Sequence, residues 1–187
     1  MESQKFSELG ERERERYNEG LQRDGYNKLF NHCRYFYIRR RYQLIKEMMQ
    51  YVEGKKVLEI GSTAWRGWLE NNSILPSSLT CINISEAELQ TGIDSAVSTT
   101  NCPDFILMAV HDLQHEDGTF DFVYEDEILH HLNMVPALDE IFRVLKLNGK
   151  KLFVEPLDIN PVGKLVKSLT KKGENCRRIT TEVVQYY

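Results

Sequence analysis

The sequence lacks most of the marks of a specialised architecture. Its four cysteines, Cys33, Cys81, Cys102 and Cys176, are far apart with no CxxC or CxxH pairing, which excludes a zinc site of the usual spacing and a disulfide framework. Long hydrophobic runs are missing: stretches such as 105–110 and 151–154 fall far short of the roughly 20 apolar residues that span a bilayer. The N-terminus is rich in Glu and Arg rather than signal-like, so the expected location is the cytoplasm, away from membranes. Internal repeats and low-complexity tracts are absent as well. Positive charge is scarce where it would matter: residues 55–155 hold 7 Lys+Arg against 16 Asp+Glu, while the two flanks are net basic by 2 and 3, for an overall charge of -4. That balance argues against nucleic acid as a partner.

What is present fits one globular domain of 187 residues, with 41% hydrophobic and 28% charged residues and a core of useful size. Three regions are expected: an N-terminal helical lid or arm over 1–54, a nucleotide-binding core over 55–165, and a tail over 166–187. In the first, Glu11 to Arg16 is an alternating charge run suited to a solvated helix or loose arm. Leu29, Phe30, Phe36, Tyr37, Leu44, Ile45, Met48 and Met49 then recur at roughly helical spacing.

Beyond Gly54 short apolar runs alternate with helix-compatible segments. The runs 56–60, 79–84, 105–110, 120–124 and 150–155 read as strands, and 65–71, 86–95 and 135–145 as helices. Such alternation predicts an α/β fold, a Rossmann-like, doubly wound and mainly parallel sheet of at least five strands. A further helix is expected over 162–169, after Pro156 and Pro161.

In such a sheet a ligand lies at the carboxyl ends of the strands, near the reversal of strand order. The first loop there reads Glu59-Ile-Gly-Ser-Thr-Ala-Trp-Arg-Gly-Trp68. Gly61 lets the backbone turn tightly and approach a ligand, and a following helix N-terminus offers N–H groups to an anion. Asn83 ends the second strand about 20 residues later, where a nucleotide-binding domain meets ribose hydroxyls. Asp112, in the loop after the third strand, suits an adenine amine, and the fourth strand leads into Glu125-Asp-Glu-Ile-Leu-His-His131.

These segments resemble a known family. Lys56-Val-Leu-Glu-Ile-Gly61 looks like motif I of class I S-adenosylmethionine-dependent methyltransferases. Phe120-Asp-Phe-Val-Tyr124 followed by Leu129-His-His-Leu132 is similar to their fourth strand and its loop. Ile141-Phe-Arg-Val-Leu-Lys-Leu-Asn-Gly149 followed by Lys150-Lys-Leu-Phe-Val-Glu-Pro156 is similar to their turn into the fifth strand. The resemblance covers about residues 55–165 and implies a methyltransferase, with S-adenosyl-L-methionine as cofactor and a small-molecule methyl acceptor. It implies that Glu59 and Gly61 shape the methionine end, that Asn83 meets the ribose, that Asp112 meets the adenine and that Glu125 lines the pocket, with Ser62, Thr63, Ile84 and Leu113 as further cofactor-binding residues.

Three departures accompany it. Thr63 stands where the family places a glycine, putting a β-branched residue beside the cofactor. Asn83 replaces an acidic ribose ligand, giving up a charge-assisted hydrogen bond. Only about 30 residues follow Glu155, so the last antiparallel strand pair of the family is expected to be missing, by truncation or because something else covers the fifth strand; an open edge there invites a homodimer.

Other side chains have two readings each. His131 is a candidate general base and Tyr26 a second, whereas the bland reading of His130-His131 is loop packing, and no metal is expected. Trp65 and Trp68 either stack on the cofactor or pack against the N-terminal helices. Tyr26, His32, Tyr35 and Tyr37 lie in a segment that in related enzymes folds over the cofactor, although core packing is the simpler role for most of them. Of Arg39, Arg40 and Arg41, at most one faces a site, because consecutive helical residues diverge. A non-catalytic methyltransferase-like scaffold is the alternative in a different class. A nicotinamide-dependent dehydrogenase is disfavoured, since Gly61-Ser-Thr-Ala lacks the three-glycine turn.

Overall fold

The computed structural model describes residues 43, 45–63, 74–96 and 102–155. Five strands, β1 (Lys56–Ile60), β2 (Ser78–Asn83), β3 (Asp104–Leu107), β4 (Phe120–Asp126) and β5 (Leu145–Val154), form one sheet in the order β3-β2-β1-β4-β5, with every neighbouring pair parallel. The helices α1 (Glu86–Ala96) and α2 (Met134–Val144) carry the crossovers from β2 to β3 and from β4 to β5. The expected α/β doubly wound architecture is the observed one.

Burial explains why the central runs are strands. In β1 all residues after Lys56 are buried, as a central parallel strand covered on both faces requires. Alternate residues then belong to different cores. Leu58, Ile60, Ile82 and Val123 pack with Ala137, Ile141 and Val144 of α2 on one face, while Val57, Leu79, Cys81, Phe122 and Tyr124 pack with Ile45, Met49 and Val52 on the other. Residues 45–49, helical and continued by the 3-10 turn Gln50–Val52, are thus part of the core.

The limits of the elements differ from the sequence reading in instructive ways. β3 stops at Leu107 rather than running to Val110, because its partner β2 ends at Asn83, and Asn83 with Leu107 is the last pair. β4 runs on to Asp126 because β5 accompanies it as far as Val154. β5 begins at Leu145, and its register against β4 slips between Phe120 and Phe122, where residues 146–149 bulge out with Asn148 left-handed at φ 67°. Phe142 is off the buried stripe of Ala137, Ile141 and Val144; its ring is half exposed, with Lys151 Nζ 4.5 Å from its centroid. The helices expected over 65–71 and 162–169, the lid segment with Tyr26 and the arginine cluster lie outside the described residues.

Among the described residues no helix is long and apolar enough to cross a membrane.

Candidate functional site

β1, β2 and β3 succeed one another toward one edge, and β4 and β5 are laid down on the other side of β1. The strand order therefore reverses between β1 and β4, and a crevice opens there because the following loops leave in opposite directions. Gly61, next after β1, and the turn Glu127–His131, next after β4, flank that reversal.

The turn after β1 is strained and tied down. Gly61 has φ 123° and Ser62 φ 62°; the left-handed conformation at Ser62 costs a side-chain-bearing residue about 1–2 kcal/mol. Neutral hydrogen bonds hold it. Asn83 Nδ2 donates to Gly61 O at 2.8 Å and to Ser62 Oγ at 3.1 Å, and the Ser62 hydroxyl donates to Glu88 O at 3.4 Å. Asn83 Oδ1 accepts the Ser85 N–H at 2.9 Å, while Ser85 Oγ accepts the Glu88 N–H at 3.3 Å and so caps α1. Gly92 completes the seat: a Cβ there would lie 2.5 Å from Ser62 O and 2.8 Å from Phe105, so any side chain would push α1 off the turn. Glu59, just before the turn, is buried, with the Cys81 thiol 3.9 Å from its Oε2. Burial first, and Glu59 second, push the Cys81 thiol far up, so it stays protonated.

The turn after β4 is held by carboxyl groups instead. Glu125 is fully buried and accepts the Ile128 N–H at 2.9 Å and the Val154 N–H at 3.0 Å. Glu155, one residue past β5, accepts the Leu129 N–H at 2.5 Å, and its other oxygen lies 2.5 Å from His130 Nδ1. Burial, then the neighbouring Glu155, push Glu125 well above the usual carboxylate range. The turn thus pinned meets the turn after β1, for a Cβ on Gly61 would lie 3.4 Å from the side chain of Ile128.

The loop after β3 is fastened to α2. Leu113 is buried in the core; its N–H donates to Glu140 Oε2 at 2.9 Å and its carbonyl accepts from Arg143 Nη2 at 2.7 Å. Arg143 also donates to His115 O and to Asp117 Oδ1, both at 2.8 Å, so one guanidinium clamps the loop to α2. The Arg143 hydrogen bond holds Glu140 below the ordinary carboxylate value. Asp112 is exposed, five residues beyond the end of β3, and Gln114 Nε2 donates to its Oδ1 at 2.8 Å. Thr63 is exposed and Ile84 half-buried.

A methyltransferase-domain family model matches residues 58–153, about half of the sequence. The chain belongs to the methyltransferase-domain family. This methyltransferase domain is 33% identical over 82 residues to a glycine/sarcosine/dimethylglycine N-methyltransferase of Actinopolyspora halophila, covering 42% of the chain and 14% of that protein. Among solved structures it resembles YcgJ of Bacillus subtilis, with a TM-score of 0.64, 20% identity, and coverage of 77% of the chain and 65% of that protein. It also resembles a putative S-adenosylmethionine-dependent methyltransferase of Listeria monocytogenes, with a TM-score of 0.52, 18% identity, and coverage of 60% and 50%. The chain thus spans only a small part of the curated relative and half to two-thirds of the two structures.

The cofactor of the family is S-adenosylmethionine, and the groups around the strand reversal fit it. The turn after β1 presents a glycine and a hydroxyl-bearing threonine, Asp112 presents an exposed carboxylate, and Asn83 retains acceptor capacity on Oδ1 although its amide is committed to the turn. Glu125 faces the backbone of its own turn, and the side chain of Leu113 faces the core. Sequence reasoning assigned nothing to Glu155, Glu140 or Arg143. The only available signal was a charged residue inside or beside an apolar run, and its meaning depends on which strand lies next to which.

Proposed function

We propose that the protein is an S-adenosylmethionine-dependent methyltransferase acting on a small molecule. The observation that carries the reading is the pair of pinned turns, Gly61–Thr63 and Glu127–His131, facing each other where the strand order reverses, in a chain of this family. A small amine is the first acceptor to try, because the curated relative named above is an N-methyltransferase of glycine, sarcosine and dimethylglycine.

In this reading Gly61, Ser62 and Thr63 receive the methionine end, Asn83 Oδ1 and the Ile84 backbone meet the ribose, and Asp112 meets the adenine with the Leu113 backbone beside it. The bound cofactor supplies a methyl group on a positively charged sulfur, open to in-line attack. The work of the chain is to hold donor and acceptor in line and to keep water out. An ammonium acceptor must first lose a proton, and His131, buried on the turn after β4 with its ring centroid 4.0 Å from that of His130, is the candidate base. Tyr26, the second candidate, lies outside the described residues.

The test is calorimetric titration with S-adenosylmethionine and S-adenosylhomocysteine. Micromolar binding is expected, weakened about tenfold or more in Asp112→Ala, the scale of a hydrogen bond to a charged group. Absence of binding at millimolar ligand would refute this reading and favour the scaffold alternative.

A further inference from the structure

Two carboxyl groups and an imidazole meet out of water where β4 and β5 end. The side chains of His130 and Glu155 are 10% and 8% exposed, and Glu125 is fully buried. Both carboxyls bond the same turn, Glu125 through the Ile128 N–H and Glu155 through the Leu129 N–H and His130 Nδ1. Burial, then the neighbouring Glu155, push Glu125 well above the usual carboxylate range. Among the described residues no group of three or more His, Cys, Asp or Glu side chains is arranged to hold a metal ion.

A turn that needed only packing would not need buried carboxyl groups, since taking polar groups out of water is costly unless their hydrogen-bonding partners are well placed. Here the partners are well placed, and all of them belong to the turn whose Ile128 lies against Gly61. Glu155 directly follows β5, the strand beyond β4, so it ties the outer part of the sheet to the central crevice.

We propose that Glu155 is a positioning residue of the cofactor site: acting through His130 and the Leu129 backbone, it holds the turn after β4 against the turn after β1 and so sets the crevice between them. The inference rests on the cofactor reading given above. Its loss would open the crevice without touching any group proposed to contact the ligand.

The experiment uses the full chain labelled with 15N, as wild type and Glu155→Gln. An imidazole N–H bonded to a buried carboxylate gives a far-downfield proton resonance for His130, expected in the wild type and lost in the variant. Amide exchange at Ile128 and Leu129 is expected to quicken about tenfold while Leu58 in β1 is unchanged, and calorimetry is expected to read about a tenfold loss of affinity for S-adenosylhomocysteine, roughly 1.4 kcal/mol. If Glu155→Gln does not fold, His130→Gln removes the same link from the other side and is expected to give the same exchange and affinity changes. Loss of the resonance with unchanged affinity makes Glu155 a packing residue and overturns the proposal, while the cofactor reading stands. A wild type that binds neither S-adenosylmethionine nor S-adenosylhomocysteine at millimolar concentration overturns both.

Discussion

The two turns beside the strand reversal do the same job with different chemistry. After β1, a neutral amide and a hydroxyl hold Gly61 and Ser62. After β4, two carboxyls and an imidazole hold Ile128, Leu129 and His130. A neutral latch is indifferent to pH, because none of its groups titrates in the ordinary range. An acidic latch responds to pH, since burial and the neighbouring Glu155 hold Glu125 well above the usual carboxylate range. The site is therefore asymmetric, with one wall fixed by steric seating on Gly92 and the other by buried carboxyl groups.

The largest effect is expected where the acidic latch is removed outright. Glu125→Ala strands the Ile128 and Val154 N–H groups and leaves a cavity where the carboxyl was buried, at an expected loss of about 3–5 kcal/mol. Urea denaturation monitored by circular dichroism measures it, and a loss under 1 kcal/mol would mean that water replaces the carboxyl.

On the neutral side, Gly92→Ala drives a methyl into Ser62 O and Phe105, with an expected cost of about 1–3 kcal/mol. Cofactor affinity should fall with it, because the turn after β1 must move. Asn83→Asp is expected to lose about 1–3 kcal/mol, since a carboxylate cannot donate to Gly61 O. That result would separate the turn-holding role of Asn83 from any ribose role, which an acid would serve better.

The pH dependence separates the latch after β4 from the Arg143 clamp by sign. Glu125 has a folded value above its ordinary 4.5, so its contribution is complete below about 4.5 and is lost as pH rises through the folded value. Glu140, held down by Arg143, acts oppositely: its contribution is present above 4.5 and lost as pH falls through the lower folded value. Urea midpoints of the wild type should decline on the alkaline side of 4.5, and Glu125→Gln should flatten that decline while leaving the acid limb alone. The smallest effect belongs to Asp117→Ala at the exposed end of the Arg143 clamp, where the carboxylate is 81% exposed and the expected change is under about 1 kcal/mol.

Much of this was legible in the chain itself. β1 matched its reading residue for residue, and α1 and α2 lay within one residue of theirs. Buried parallel strands and amphipathic helices carry their own periodicity, so local sequence suffices to find them. The sequence also located the turns at Gly61 and after Glu125. It missed the end of β3, which the length of β2 decides, and it missed Glu155, whose neighbours lie about 25 residues back in the chain.

By itself, then, the sequence determined the alternation of strands and helices, the two buried faces of β1 and the resemblance to the methyltransferase family. Only the tertiary structure decided that Glu125, His130 and Glu155 form one cluster and that it closes against Gly61. Hydrophobic periodicity is a local property of consecutive residues, but the meeting of two carboxyls on one turn depends on β5 being laid beside β4, and no local pattern records which strands become neighbours.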